Sequence, residues 1–140
     1  MPMNLSFILV ENAELDRYIA AKLIRNLAGD ARVEIFGSAR AALDHITANS
    51  QSEADPAIIL LDLMMPKMSG ADFIHQFETL PENIRSRYRI AIVTSSMNKA
   101  EMQRLSKHDK VLVAIEKPLT HEKFAAFLAQ IDGGFSSSED

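Results

Sequence analysis

The sequence predicts an α/β protein built on a parallel β-sheet with helices on both faces. Two observations carry this. Short, almost wholly apolar runs such as Leu5–Val10 and Ala57–Leu61 read as strands buried on both sides. Between such runs, apolar residues recur at helical spacing, and the two textures alternate along the whole chain.

Taken in order, Leu5–Val10 is the first strand, and Glu14–Ala28 is a helix with Leu15, Tyr18, Ile19, Leu23 and Leu27 at helical spacing and Gly29 as its stop. Arg32–Phe36 alternates as a strand does. Ser38 can cap a helix running to about Asn49, with Ala42, Leu43 and Ile46 inward. Ala57–Leu61 is the most apolar strand, and Gly70–Leu80 is a helix ended by Pro81. Arg89–Val93 is a strand, Lys99–Lys107 a helix and Val111–Ile115 a strand. Thr120 caps a last helix to about Ile131. Five strands thus alternate with five helices. Residues 1–132 form one domain, and the small, polar residues 133–140 read as a flexible tail or linker stub.

Composition narrows the function. The chain has 140 residues, of which 47% are hydrophobic and 24% charged, enough for one solid core. No stretch approaches the roughly 18 apolar residues of a membrane span, and Met1–Ser6 lacks the features of a secretion signal. Cysteine is absent, which excludes disulfides and thiolate metal sites and accords with a cytoplasmic setting. The net charge of −4 and the lack of an aromatic stacking platform argue against nucleic-acid binding.

In open parallel sheets the functional site lies beyond the carboxyl ends of the strands. Here the first strand ends in Glu11-Asn12, the third in Asp62, the fourth in Thr94-Ser95-Ser96 and the fifth in Glu116-Lys117-Pro118. A carboxylate fixed at a strand end can attack phosphorus and hold an acyl phosphate. The negative phosphoryl oxygens then need a hard cation. Mg2+ (or Mn2+) takes one or two carboxylates, a carbonyl and waters, and Glu11 and Asp62 supply carboxylates. Thr94 can donate a hydrogen bond to a phosphoryl oxygen, and Lys117 can set a positive charge beside it.

The segment Leu60-Leu61-Asp62-Leu63-Met64-Met65-Pro66-Lys67-Met68-Ser69-Gly70 resembles the phosphoacceptor segment of response-regulator receiver domains. Glu116-Lys117-Pro118 resembles that family's lysine-proline motif. Ile92–Ser96 resembles its hydroxyl-bearing strand end, and Ile8–Asn12 its acidic-pair strand. The agreement runs in order from about Ser6 to Ile131. The resemblance implies a flavodoxin-like (βα)5 fold with strand order 2-1-3-4-5. It also implies a signalling switch rather than an enzyme, with phosphotransfer to Asp62 from a sensor histidine kinase or a histidine phosphotransfer protein. By the same resemblance the Met64 backbone carbonyl is a further metal ligand, and Pro66, Gly70 and Pro118 shape the loops. The fourth and fifth predicted helices are where a downstream protein or a second copy would dock.

Two positions depart from the family pattern. Asn12 stands where a second carboxylate is usual, so the metal site has one charge fewer and an amide oxygen in its place. Ala114 stands where many relatives carry the aromatic ring that turns inward on activation. Met64 cannot orient an attacking water, which predicts slow self-dephosphorylation. A degenerate receiver acting as a constitutive protein scaffold is the alternative function. An aspartyl phosphatase of the haloacid-dehalogenase kind would need an acid where Met64 stands, and dinucleotide binding would need a Gly-rich turn after the first strand.

The remaining polar residues have plainer roles. His45, His75, His108 and His121 lack metal-ligand spacing and are expected at the surface. Met64, Met65 and Met68 are expected to pack. Lys99, Arg104, Lys107 and Lys110 are expected to form a solvated basic face.

Overall fold

The computed structural model describes residues 5–49, 56–96 and 98–131. The expected tail at 133–140 lies outside the described residues. The elements follow in order as β1 Ser6–Val10, α1 Glu14–Ala28, β2 Arg32–Phe36, α2 Ala39–Ala48, β3 Ala57–Asp62, α3 Gly70–Phe77, α4 Glu82–Arg85, β4 Tyr88–Thr94, α5 Lys99–Leu105, β5 Val111–Glu116 and α6 His121–Ile131. All five strands are parallel, in the order β2-β1-β3-β4-β5. This is the flavodoxin-like arrangement that the sequence resemblance implies.

Strand side chains alternate between the two faces. Ile8, Val10, Ile59, Leu61, Ile90 and Ile92 therefore join one core, which is completed by Ala42, Leu43 and Ile46 of α2 and Phe73, Ile74 and Phe77 of α3. Phe7, Leu9, Ile58, Leu60, Ala91 and Val93 join the other, under Ala20, Ala21 and Ile24 of α1 and Phe124, Phe127 and Ile131 of α6. Every residue of β3 is buried, because it is the central strand and both layers cover it.

Several local expectations hold. Ser38 accepts from the Ala41 N–H at 3.1 Å, Thr120 accepts from the Lys123 N–H at 3.1 Å, and Gly29 ends α1 with φ 61°. Others change. The helix expected over Gly70–Leu80 ends at Phe77, where Thr79 and Leu80 N–H groups turn back to Gln76 and Phe77 carbonyls. Pro81 then opens α4, an extra turn whose first bonds run from Ile84 and Arg85 N–H to the Pro81 carbonyl. There are thus six helices among the described residues, and the fourth and fifth predicted helices are α5 and α6.

The buried face of α1 is Ala20, Ala21 and Ile24, whereas Leu15 and Tyr18 are 67% and 61% exposed. Lys110, expected on a solvated face, is buried and lies 3.4 Å from Glu82 and 3.5 Å from Asp109. The methionines divide: Met65 is buried and Met68 packs on the same core, but Met64 is exposed.

Candidate functional site

Strand register assembles the site. Val10 of β1 pairs with Leu61 of β3, so Glu11 and Asp62 follow side by side at the carboxyl edge. Asp62 pairs with Val93 of β4, so Thr94 stands one residue beyond. Thr94 pairs with Glu116 of β5, which brings Lys117 to the same edge, and the Lys117 N–H donates to the Thr94 carbonyl at 2.8 Å. A bulge at Leu112 takes part in this: Ile90 pairs with Val111, but Ala91 pairs with Val113. A one-residue slip reverses the faces of a strand, so the bulge sets which way the end of β5 presents its side chains.

Glu11 and Asp62 are buried. The Lys117 ammonium lies 2.9 Å from Glu11 Oε1, 3.7 Å from Asp62 Oδ2 and 2.7 Å from Asp16 Oδ2. Asp16 belongs to the first turn of α1. The pair Asp16-Arg17 resembles stand-alone receivers, but sequence reasoning gave Asp16 no role in the site, because its contact with Lys117 joins positions 101 residues apart. The only local signal was an acid one turn past a strand end.

The two buried carboxylates are held by backbone. The Ala13 N–H donates to Glu11 Oε2 and the Met64 N–H to Asp62 Oδ1, each at 3.1 Å. Burial pushes the Glu11 carboxyl above its ordinary value, and the Asp62 charge adds to that push. Hydrogen bonds from Lys117 and Ala13 oppose it in part. For Lys117, burial works to lower the pKa. Its hydrogen bonds to Asp16 and Glu11 and the charges of Glu11 and Asp62 outweigh this and hold it above the ordinary lysine value.

The other predicted residues fall around this centre. Asn12 is exposed at the head of the β1–α1 loop, where Arg17 Nη1 donates to the Glu11 and Asn12 carbonyls at 3.1 Å and fixes the loop to α1. Thr94 is fully buried, and its hydroxyl closes locally on Ser96, accepting from its N–H at 3.2 Å and donating to its carbonyl at 3.3 Å. Ala114 is half-buried and packs toward the α2–α5 face of the sheet. The Lys117–Pro118 peptide is cis. Pro66 is exposed in the loop after β3, beside Lys67 at φ 69°.

Gly70 has a steric reason for being glycine. A Cβ there would stand 2.7 Å from Leu63 Cα and 2.8 Å from the Asp62 carbonyl, and its N–H donates to the Leu63 carbonyl at 3.1 Å. The close approach of α3 to the strand end thus depends on the missing side chain.

Among the described residues, no three His, Asp or Glu side chains stand close enough to ligate one metal ion. Magnesium does not need three: one or two carboxylates with carbonyl and water oxygens suffice. Two buried, mutually repelling carboxylates with a single ammonium between them are a donor set that a hard cation would relieve. The residues present therefore fit such an ion.

The model of the response regulator receiver domain matches residues 7–129, and the chain belongs to that family. Among solved structures, a response regulator receiver protein from Dyadobacter fermentans is 28% identical, with TM-score 0.76 over 90% of this chain and 96% of that one. A receiver domain from Rhodospirillum rubrum is 26% identical, with TM-score 0.72 over 94% and 93%. The response regulator Rcp1, solved in its Mn2+-bound form, is 20% identical with TM-score 0.69 over 93% and 92%, and shares the fold. Among curated proteins none matches the chain. No described helix is long and apolar enough to cross a membrane.

Proposed function

We propose that this receiver domain is a phosphorylation-controlled signalling switch with Asp62 as the phosphoacceptor. The observation that carries the reading is the placement of Asp62. It is a buried carboxylate ending the central strand, beside Glu11 and within 3.7 Å of the Lys117 ammonium.

In the proposed reaction an Asp62 carboxylate oxygen attacks the phosphorus of a phosphohistidine. The new P–O bond forms as the P–N bond breaks, and the imidazole nitrogen leaves with the electron pair and takes up a proton. The Met64 N–H steadies the carboxylate, while Lys117 pairs with a phosphoryl oxygen. The Thr94 hydroxyl leaves Ser96 and donates to another phosphoryl oxygen. Glu11, Asp62, the Asn12 amide oxygen and the Met64 carbonyl would hold Mg2+ or Mn2+. When bound, that ion supplies positive charge to the phosphoryl oxygens. Donors are a sensor histidine kinase or a histidine phosphotransfer protein, in the cytoplasm. The exposed faces of α5 and α6 are the proposed docking surface for a downstream partner or a second copy.

The test is intact mass after incubation with magnesium and acetyl phosphate. One added phosphoryl group is expected, absent without magnesium and absent in Asp62→Asn. A second reading, a constitutive scaffold, draws on Asn12 at the usual second acid and on Ala114, which has no ring to turn. No mass gain in the native chain at saturating magnesium would favour it.

A further inference from the structure

We infer that Asp16 is a positioning residue that holds the Lys117 ammonium in the unphosphorylated protein and yields it to the phosphoryl group. This rests on the phosphoacceptor reading of Asp62. The geometry supports a hand-off rather than a fixed bond. Lys117 is closer to Asp16, at 2.7 Å, than to Asp62, at 3.7 Å, so the ammonium is drawn off the nucleophile. The turn of helix that carries Asp16 is tied to the strand end. Asp16 sits beside Arg17, whose guanidinium bonds the Glu11 and Asn12 carbonyls and locks the first turn of α1 to the end of β1.

The two close partners of Lys117 differ in what releasing it would cost. The Glu11 side chain is 5% exposed, and stripping it of its cation would leave a buried charge unpaired. The Asp16 side chain is 38% exposed, so water can solvate it once the ammonium moves. An arriving phosphoryl group carries nearly two negative charges and outbids a half-exposed carboxylate. Lys117 would therefore keep Glu11 and exchange Asp16 for phosphoryl oxygen. Asp16 also returns a third carboxylate to the cluster where Asn12 has removed one, but on the lysine side.

Two measurements on the full chain test this. The first is the affinity for beryllofluoride, a phosphoryl mimic, with magnesium. Removing the competitor predicts about threefold to fivefold tighter binding in Asp16→Asn, and Asp16→Glu returning to the native value. The second needs no phosphate: a double-mutant cycle of Asp16→Asn and Lys117→Met on urea unfolding without magnesium. The tether predicts that the effect of Asp16→Asn on the folding constant differs by about threefold between the two backgrounds.

Additive effects in the cycle would mean no tether and overturn the inference. Coupling with unchanged or weaker beryllofluoride binding in Asp16→Asn would overturn the hand-off. Coupling in a native protein that binds no beryllofluoride at all would locate the failure in the phosphoacceptor reading and take the hand-off with it.

Discussion

At the scale of single residues, the site is a problem of charge held out of water. Glu11 and Asp62 are buried side by side, and one ammonium serves both and Asp16. Asp62, Glu11, Thr94 and Lys117 could be read from the sequence, because each stands within two residues of the end of an apolar run. Asp16 could not, since its role depends on a contact across 101 residues. Nor could the burial of Lys110, which needs Glu82 from α4, a helix the sequence did not announce. Gly70 belongs to this scale too. Gly70→Ala would drive a Cβ into Leu63 and the Asp62 carbonyl, so a loss of about 1–3 kcal/mol is expected in urea unfolding. A neutral or stabilising result would mean that the strand end and α3 can move apart freely.

At the scale of elements, strands were the most legible. Apolar runs cut off by a polar residue gave β1, β3 and β5 to within one residue, and the candidate site residues Glu11, Asp62 and Lys117 stand within two residues of those run ends. Helix ends were less legible. Between Phe77 and Leu80 only Thr79 is a weak helix former, and its hydroxyl donates to the Gln76 carbonyl at 2.6 Å, so the end of α3 is set by how it closes as well as by composition. Its start is better defined. Ser69 accepts from the Asp72 N–H at 3.1 Å, and Asp72 accepts from the Ser69 N–H at 3.2 Å, a reciprocal cap. Ser69→Ala is expected to cost about 1 kcal/mol of stability, measured by urea unfolding, with the β3–α3 loop loosened. An unchanged midpoint would show that the Gly70–Leu63 contact alone fixes the helix start.

At the scale of the whole molecule, two apolar cores clamp one sheet, and its carboxyl edge gathers the candidate site residues. The fold class and strand order follow from alternation and resemblance together. The face of α1 did not, because Leu15 and Tyr18 look like core residues and lie outside it while two alanines lie within. Small residues let α1 come close to β1, which puts Asp16 within reach of Lys117. The core also gives a pH dependence. Burial raises the Tyr88 phenol above its ordinary 10.0, so the folded state keeps a proton that the unfolded chain releases. The corresponding stability is complete below pH 10 and is lost as pH rises through the folded value. Lys117, raised above 10.5, adds a loss of the same sign. Stability from urea unfolding should thus decline on going alkaline from about pH 10, and less steeply in Tyr88→Phe. Equal slopes in the two proteins would place the alkaline loss elsewhere.

The central claim is that Asp62 itself carries the phosphoryl group. The most direct measurement is to phosphorylate the chain with acetyl phosphate and magnesium, reduce the acyl phosphate with borohydride, and sequence the peptides by mass spectrometry. The reduction converts a phosphorylated aspartate to homoserine and leaves a free carboxylate unchanged. Homoserine at position 62 and at no other acid is the predicted result. 5-Hydroxynorvaline at Glu11, homoserine at Asp16, or an unmodified Asp62 in a chain that has gained a phosphoryl group, would contradict it.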